Sequence, residues 1–266
     1  MIKISISGGL GNQMFQYAFG RAKALKNDAD LALIPSYKAK NTAPRGFLLN
    51  NFNIKADIRN STSIKEKIFK IAEPHPPFSK EIYEKPKGYF VGNWQSEKYF
   101  KDYEDKIRAD FTLKNRLSSE AEKIKDLIEK SYSVSLHVRR GDYASDQRVN
   151  EKHGLATIEY YSKAIYYIKE KVSQPTLFVF SDDIKWAREN LPLTESAVFV
   201  SNENISECED LVLMSLCKNN IIANSTFSWW GAWLNKNQNK IVIAPRLWFG
   251  RESDTSYLIP QEWLRM

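Results

Sequence analysis

The chain of 266 residues contains little cysteine and no long hydrophobic run. Its two cysteines, Cys208 and Cys217, are too few for a disulfide framework and lack metal-ligand spacing, so we expect both to be reduced. No stretch reaches the roughly eighteen apolar residues that a membrane-spanning helix needs. The N-terminus shows no basic region followed by an apolar run, so no signal peptide is predicted and a cytoplasmic location is expected.

Charge and hydrophobic content narrow the class of protein. Hydrophobic residues make up 42% of the chain, enough for one large domain or two small ones. The net charge of +7 favours anionic partners, either nucleotide diphosphates or an anionic membrane surface, although a solvated lysine-rich surface is the more common explanation of such a pattern. No DNA- or RNA-binding motif accompanies the charge, so we expect no nucleic-acid partner.

Strands and helices alternate most clearly in the second half of the chain. Apolar strands are predicted at residues 134–138, 176–180, 221–223 and 241–244, with helical segments between them. This alternation predicts an α/β fold with parallel sheets covered on both faces. Residues 36–100 show no sustained periodicity. We place a domain boundary after the Lys/Glu-rich helix at 116–130, which gives an N-terminal domain of residues 1–130 and a C-terminal domain of residues 131–266.

A glycine-rich turn joins the first predicted strand to the first helix. Gly8, Gly9 and Gly11 lie in this turn, and Asn12 and Gln13 follow as the helical spacing begins. Such a turn brings backbone N–H groups and a helix N-terminus close to a phosphate. The two amides could contact a sugar or a phosphate, or they could be polar caps of an ordinary turn.

The arginine segment, His137–Tyr143, follows the predicted strand at 134–138. Guanidinium groups keep their charge and are costly to bury unpaired, so adjacent Arg139 and Arg140 favour binding of a diphosphate through their planar forks. The alternative is a structural ion pair with Asp142. Asp142 is also the best candidate for a general base, because it is the carboxylate in the loop after the strand that carries Arg139. His137 is interpreted as a positioned hydrogen-bonding group.

An acidic pair, Asp182 and Asp183, ends the next apolar strand. Either residue could contact a nucleoside, since a carboxylate can accept two N–H donors from a guanine edge, or it could cap the helix that follows. The sequence around the pair offers no further cluster of metal ligands, so no metal site is expected.

Ser225, Thr226 and Phe227 begin a helix after a third strand. The N-terminus of that helix could hold a phosphate, and capping by Ser225 or Thr226 is compatible with this role. Because ligands of parallel sheets bind at the carboxyl ends of strands, we expect this helix start, the arginine segment and the acidic pair to form one site.

An aromatic segment in the first half supplies candidates for acceptor binding. Aromatic faces stack on sugars and polar neighbours can bind hydroxyls, which makes Trp94, Gln95 and Glu97 a predicted acceptor wall. Burial of the aromatic side chains in the core is the alternative.

Taken together, the glycine turn, the arginine segment and the segment 224–231 resemble the α-1,2-fucosyltransferases of glycosyltransferase family 11. The matching segments extend from Ile2 to about Trp233. The resemblance implies a GT-B fold of two facing Rossmann-like domains, with the donor held mostly by the C-terminal one. It implies inverting transfer of L-fucose from GDP-β-L-fucose to the 2-hydroxyl of a galactoside, with no cofactor and no divalent metal. A bacterial type of enzyme in surface-glycan or O-antigen synthesis follows, peripheral to the inner face of the membrane where the acceptor is lipid-linked.

The resemblance also implies roles for individual residues. Arg139 would bind the diphosphate with support from Arg140, and the catalytic residues would be Arg139 and Asp142. His137 and Asp183 would contact the nucleoside. The phosphates would be contacted by Ser225, Thr226 and Phe227, and the fucose would be covered by Gly11, Asn12 and Gln13.

Three alternatives remain at this point: another GDP-fucose-dependent fucosyltransferase, a nucleotide-sugar-binding protein without catalysis, and an NAD(P)-linked oxidoreductase. The last would need an acidic residue about twenty positions after the glycine turn, at the end of the second strand. Pro35 follows that strand instead, and Met14 stands where the third glycine would be.

Overall fold

A computed structural model describes residues 1–36, 46–74, 78–250, 252 and 254–266, except for the side chain of Lys152. The chain divides into two compact units. The N-terminal unit comprises residues 1–115 and 256–260, and the C-terminal unit comprises residues 116–255 and 261–266. No helix among the described residues is long and apolar enough to span a bilayer.

The N-terminal unit contains a five-stranded sheet. Its elements are β1 (Ile2–Ile6), α1 (Leu10–Lys26), β2 (Leu31–Pro35), β3 (Asp57–Ile58), α2 (Ile64–Ile68), β4 (Ile71–Ala72), α3 (Lys80–Glu84), β5 (Gly88–Val91) and α4 (Glu104–Asp110). The strand order is β3-β2-β1-β5-β4, and all neighbours pair in parallel. The winding reverses between β1 and β5, so the crevice at their carboxyl ends is where such a sheet binds ligands.

Helix α1 packs closely on this sheet. Phe15 and Phe19 lie at helical spacing and are completely buried, and the Phe19 ring stacks on Trp94 with centroids 4.1 Å apart. A Cβ atom at Gly20 would lie only 2.4 Å from Cγ1 of Ile4 in β1, so glycine is needed for this close approach. The packing holds the glycine turn over the end of β1.

The C-terminal unit contains a six-stranded sheet. Its elements are α5 (Ser119–Glu129), β6 (Tyr132–Val138), α6 (Gly141–Ser145), α7 (Gln147–His153), α8 (Ile158–Lys171), β7 (Pro175–Ser181), α9 (Ile184–Asn190), β8 (Val198–Phe199), α10 (Glu207–Leu216), β9 (Asn219–Ile221), α11 (Thr226–Leu234), β10 (Val242–Ala244) and β11 (Leu264–Arg265). The order is β11-β10-β9-β6-β7-β8, again parallel throughout. The winding reverses between β6 and β9.

The core of the C-terminal unit is apolar and aromatic. Leu136 and Val179, from β6 and β7, pack with Ile165 of α8 in one buried cluster. Trp229 and Trp230 of α11 are completely buried, with ring centroids 5.1 Å apart. Both cysteines are buried, and neither forms a disulfide within the described part of the chain.

Helix α5 lies in the C-terminal unit, whereas the sequence-based boundary placed it with the N-terminal half. The backbone N–H of Ser118 donates to Oε1 of Glu209 in α10 at 2.6 Å. Ala121 and Ile128 are buried on the inner side of the helix. These contacts tie α5 to the sheet that follows it, so the division falls after Asn115 rather than after Lys130.

Candidate active site

The polar segments of the second half all follow strands at one edge of the C-terminal sheet. Val138 pairs with Ser181 where β6 and β7 end, and Leu136 pairs with Ile221 of β9. The arginine segment, the acidic pair and the start of α11 therefore lie around the crevice between β6 and β9. The structure brings together side chains that are far apart in the sequence.

Arg139 is held between two carboxylates. Its Nη1 lies 2.6 Å from Oδ2 of Asp182, and its Nη2 forms an ion pair with Oδ1 of Asp142. The guanidinium carbon lies 5.3 Å from the centroid of the Tyr143 ring. The side chain is only 14% exposed. The ion pair with Asp142 that the sequence left as an alternative is therefore present, and Asp182 is a second partner.

Arg140 is fixed by the acidic pair and by a tryptophan. Its backbone N–H donates to Oδ1 of Asp182 at 2.8 Å, and its Nε lies 3.4 Å from Oδ2 of Asp183. The guanidinium carbon lies 4.0 Å from the centroid of the Trp186 ring. Among the described residues, Nε is buried without a hydrogen-bond partner. This N–H group is therefore a donor that an anionic ligand could use.

The acidic pair has two structural roles. Asp183 caps α9, since its Oδ1 accepts the backbone N–H of Trp186 at 3.0 Å. Asp182 contacts both arginines. With Asp142, three carboxylates face two guanidinium groups, so the formal local charge is 2 − 3 = −1. No group of three His, Cys, Asp or Glu side chains within the described ranges is arranged to hold a metal ion.

Gly141 leaves the space that Asp182 occupies. A Cβ atom at this position would lie 2.4 Å from Oδ2 and 3.2 Å from Cγ of Asp182. That oxygen is bound to Arg139, so it cannot move aside without loss of the ion pair. The glycine is needed here for close approach.

His137 is a buried, neutral imidazole at the end of β6. Burial, and then the nearby charge of Arg139, lower the pKa of His137 to about 3. Its ring centroid lies 5.5 Å from that of Phe227, across the β6/β9 crevice. Its Nδ1 is buried with no hydrogen-bond partner in the described part of the chain. A buried polar atom of this kind is unusual, and a bound ligand would satisfy it.

The start of α11 is held by side-chain caps. Oγ of Ser225 accepts the backbone N–H of Phe227 at 3.4 Å, so the predicted capping by Ser225 is present. The Asn224 amide donates to three backbone carbonyls, those of His153, Gly154 and Trp248. Thr226 is the first residue of the helix. Phosphate contact by this helix start remains a prediction.

In the N-terminal unit, the side chain of Gln13 forms hydrogen bonds with backbone groups of the protein. Its amide donates to the backbone carbonyls of Gly8 at 2.9 Å and Gly46 at 3.1 Å, and its Oε1 accepts the N–H of Leu48 at 3.0 Å. The side chain is 1% exposed. The structure thus places it as a brace of the glycine turn. Gly11 is also buried, in the first turn of α1.

Asn12 lies at the mouth of the β1/β5 crevice together with Gln95. Nε2 of Gln95 donates to Oδ1 of Asn12 at 2.9 Å. Gly8 adopts a positive φ of +79°, which lets the turn bring Asn12 over the end of β1. These two amides are the sugar-binding candidates that this crevice retains.

Trp94 was predicted to contact the acceptor, with burial in the core as the alternative. In the structure it is a core residue. It is completely buried, stacked on Phe19 and in edge contact with Tyr99, so neither face is open to a sugar. Its backbone N–H donates to Glu73, whose pKa is raised by burial. Glu97 lies in a short 3-10 turn, where it pairs with Lys101.

A buried polar chain behind the acidic pair has no local sequence signature. Oδ2 of Asp210, in α10, accepts from Oγ of Ser201 at 2.6 Å, and that Oγ accepts the backbone N–H of Ser181 at 3.1 Å. Oγ of Ser181 accepts the N–H of Asp183 at 2.9 Å. Asp210 thereby supports the turn that carries both acidic residues.

Comparison with known proteins agrees with this architecture. Residues 1–264 match the family model of glycosyl transferase family 11. The chain is 38% identical to the alpha-1,2-colitosyltransferase of Escherichia coli, over 98% of this chain and 97% of that protein. It is 36% identical to the O-antigen biosynthesis glycosyltransferase WbnK of Escherichia coli, over 98% and 99% of the two chains. Galactoside alpha-(1,2)-fucosyltransferase 2 of Gorilla gorilla gorilla is 28% identical, over 88% of this chain and 69% of that protein.

A solved structure shares the fold. The alpha-1,6-fucosyltransferase NodZ, co-crystallised with GDP, superposes with a TM-score of 0.52 at 15% identity, covering 86% of this chain and 90% of that one. With a parallel sheet in each of two units, this likeness confirms the predicted α/β fold of the GT-B type. The protein is a glycosyltransferase of the fucosyltransferase type. It belongs to glycosyl transferase family 11.

Proposed function

We propose that this chain is a galactoside 2-α-L-fucosyltransferase that transfers L-fucose from GDP-β-L-fucose with inversion of the anomeric centre. The observation that carries the proposal is the pair of arginines, Arg139 and Arg140, fixed by carboxylates at the β6/β9 crevice of a family 11 chain. The α-1,2 linkage in the names of two relatives and the GDP bound to NodZ support the linkage and the donor.

Arg139 is the proposed electrostatic catalyst. Negative charge develops on the diphosphate as the glycosidic bond breaks, and a preorganised guanidinium stabilises it. Asp142 and Asp182 hold the Arg139 fork in one orientation before the donor arrives. Arg140 supplies the second positive charge. The proposal includes no cofactor and no metal: the guanidinium N–H groups of Arg139 and Arg140 would bind the diphosphate oxygens directly.

Asp142 is proposed to orient Arg139. The acceptor hydroxyl must lose a proton during inversion, and Asp142 was the predicted base. Its Oδ1 is engaged by Arg139, which leaves one oxygen for a hydroxyl. The ion pair therefore favours the orienting role, with the base role as the alternative that a variant can test.

Further contacts are proposed for the donor and the sugar. The nucleoside would be contacted by His137, through its unsatisfied Nδ1, and by Asp183. The phosphates would be contacted by the α11 start at Ser225–Phe227. In the N-terminal unit, Asn12 and Gln95 are the proposed sugar contacts, with Gly11 shaping the turn beneath them.

The proposed acceptor is a galactoside on a lipid-linked surface glycan, modified at the cytoplasmic face of the membrane. The O-antigen glycosyltransferase among the relatives supports this setting. A second candidate function is transfer of colitose, because the chain is 38% identical to an alpha-1,2-colitosyltransferase. Family membership leaves no support for the NAD(P)-linked oxidoreductase.

A transfer assay separates these proposals. The purified chain is incubated with GDP-fucose or with nucleotide-activated colitose, against a panel of β-galactosides, and the product linkage is determined by NMR. We expect α-1,2-fucosylated product. Product from colitose alone would support the second candidate, and GDP binding without turnover of either donor would indicate a non-catalytic binding protein.

A further inference from the structure

We propose that residues 64–70, the docking segment, insert their apolar side chains into the surface of an anionic lipid bilayer. The segment comprises α2 and the two residues that follow it. The inference extends the membrane contact proposed above and rests on it, but it does not depend on which sugar the enzyme transfers.

The docking segment exposes three large apolar side chains within six residues. Ile64 is 77% exposed, Ile68 is 68% exposed and Phe69 is 71% exposed. Ile64 and Ile68 are four residues apart and share one face of α2. Other strongly exposed apolar residues, such as Leu127 and Tyr166, stand singly in the sequence. Clustered exposure of this kind marks an interaction surface.

The positive and negative charges of the docking segment lie on different sides of it. Lys65, Lys67 and Lys70 are exposed and make no ion pair with any residue that the structure describes. Glu66 instead pairs with Lys3 of β1. Hydrogen bonds from Lys3, and then from Thr62 and Ser63, lower the pKa of Glu66 to about 2, so the carboxylate that pairs with Lys3 is ionised at neutral pH. The outward side therefore carries apolar groups and three positive charges.

The fold holds the segment in this orientation at both ends. Ser63 and Glu66 form a capping box at the start of α2, with Oγ of Ser63 accepting the Glu66 N–H at 3.2 Å and Oε2 of Glu66 accepting the Ser63 N–H at 3.0 Å. At the other end, β4 pairs with β5 directly after Lys70. The apolar face is thus presented outwards from a fixed base.

The chemistry of the surface selects a bilayer over a second copy of the chain. A symmetric contact between two copies would bring together two surfaces that each carry three exposed lysines, which repels. Anionic phospholipids attract the lysines while the acyl boundary accepts isoleucine and phenylalanine. This is the pattern of a helix that lies in the membrane interface.

Vesicle binding of the full chain tests the proposal without donor or acceptor. Sedimentation is measured with phosphatidylcholine vesicles, with and without phosphatidylglycerol. We expect binding only to the anionic vesicles. The variant K65Q/K67Q/K70Q should bind roughly a hundredfold more weakly, because each lysine near an anionic surface contributes about fivefold. The variant I64S/I68S/F69S should bind at least about tenfold more weakly.

The double variant L127S/Y166S, which also removes exposed apolar groups, is the control and should bind as the wild type does. Transfer to a soluble galactoside is measured in parallel and should be unchanged in every variant, so a failed transferase assignment and a failed docking proposal are distinguishable. Wild-type binding that both triple variants retain would overturn the proposal, as would absence of binding. Concentration-dependent self-association lost in I64S/I68S/F69S would assign the face to a second copy instead.

Discussion

Asp182 binds Arg139 and the backbone of Arg140 at the same time. Its Oδ2 lies 2.6 Å from Nη1 of Arg139, while its Oδ1 accepts the Arg140 N–H at 2.8 Å. One carboxylate from the end of β7 thus fixes both the fork of one arginine and the main chain of the next. Loss of a partner would leave a largely buried charge uncompensated, which is more costly than the pair is stabilising.

Replacement of Arg139 by lysine should weaken GDP binding about ten- to hundredfold, as expected for loss of a charge-assisted bidentate contact of about 1.5–3 kcal/mol. A lysine ammonium is a point charge and cannot bridge Asp142 and Asp182 while it also binds a diphosphate. Titration calorimetry with GDP measures the effect. Arg188→Lys is the matched control, because Arg188 lies over Phe199, away from the crevice. Normal GDP affinity and turnover in R139K would remove Arg139 from the donor site.

Replacement of Asp142 by asparagine separates orientation from base catalysis. Because Asp142 pairs with Arg139, we expect D142N to lose GDP affinity and turnover together. Calorimetry gives the affinity and steady-state kinetics give kcat. A steep fall in kcat at unchanged GDP affinity would instead identify Asp142 as the base, and full activity would exclude both roles.

The sequence was sufficient to predict that polar segments follow the ends of the strands, but not which of their side chains contact one another. The alternation of strands and helices predicted the parallel sheets, and the arginine segment was correctly placed at the end of β6. The double role of Asp182 could not be predicted, because it depends on a register between β6 and β7 that no local pattern encodes. The same holds for the Asp210–Ser201 chain behind it.

The first half was less predictable for a physical reason. Its outer strands, β3 and β4, have two residues each, too few to show a period. The indole ring of Trp94 is of a type that stacks on sugars, yet Trp94 is a core residue. Only the tertiary packing of α1 decides which aromatic faces are covered.

Transfer should survive EDTA. The oxygens of the acidic pair are already engaged by protein donors: both oxygens of Asp182 contact the arginines, and Asp183 caps α9 and faces Arg140. A hard cation would have to displace these partners. Initial rates with and without chelator test this. Activity that disappears in EDTA and returns with Mg²⁺ or Mn²⁺ would contradict the prediction.

Replacement of Gly141 by alanine should impair donor binding with little change in fold. The new Cβ would lie 2.4 Å from Oδ2 of Asp182 and would push that oxygen away from Arg139. We expect at least about tenfold weaker GDP binding and a lower thermal midpoint than that of the wild type, since loss of the ion pair leaves a largely buried charge of Arg139 with one partner fewer. Gly46→Ala, where a Cβ meets nothing within 4 Å, is the control. Equal GDP affinity in G141A and wild type would show that the ion pair is not needed for binding.

Asp210 should make the stability of the C-terminal unit depend on pH. Burial, assisted by the charges of Glu207 and Glu209 and opposed by the Ser201 hydrogen bond, raises the pKa of Asp210 to about 7. An unfolded aspartate titrates near 3.9, so between about pH 4 and pH 7 the folded state holds more protons than the unfolded state. The free energy of unfolding should therefore fall as the pH rises through this window, by an amount on the order of a few kcal/mol.

In Asp210→Asn the side chain stays neutral and can still accept a hydrogen bond from Ser201, so this pH dependence of the free energy of unfolding should disappear. Asp126→Asn, at an exposed position of α5, is the control for loss of one charge. Denaturant unfolding from pH 5 to pH 8 measures the difference, and identical slopes in D210N and wild type would show that Asp210 is ionised in the fold at low pH.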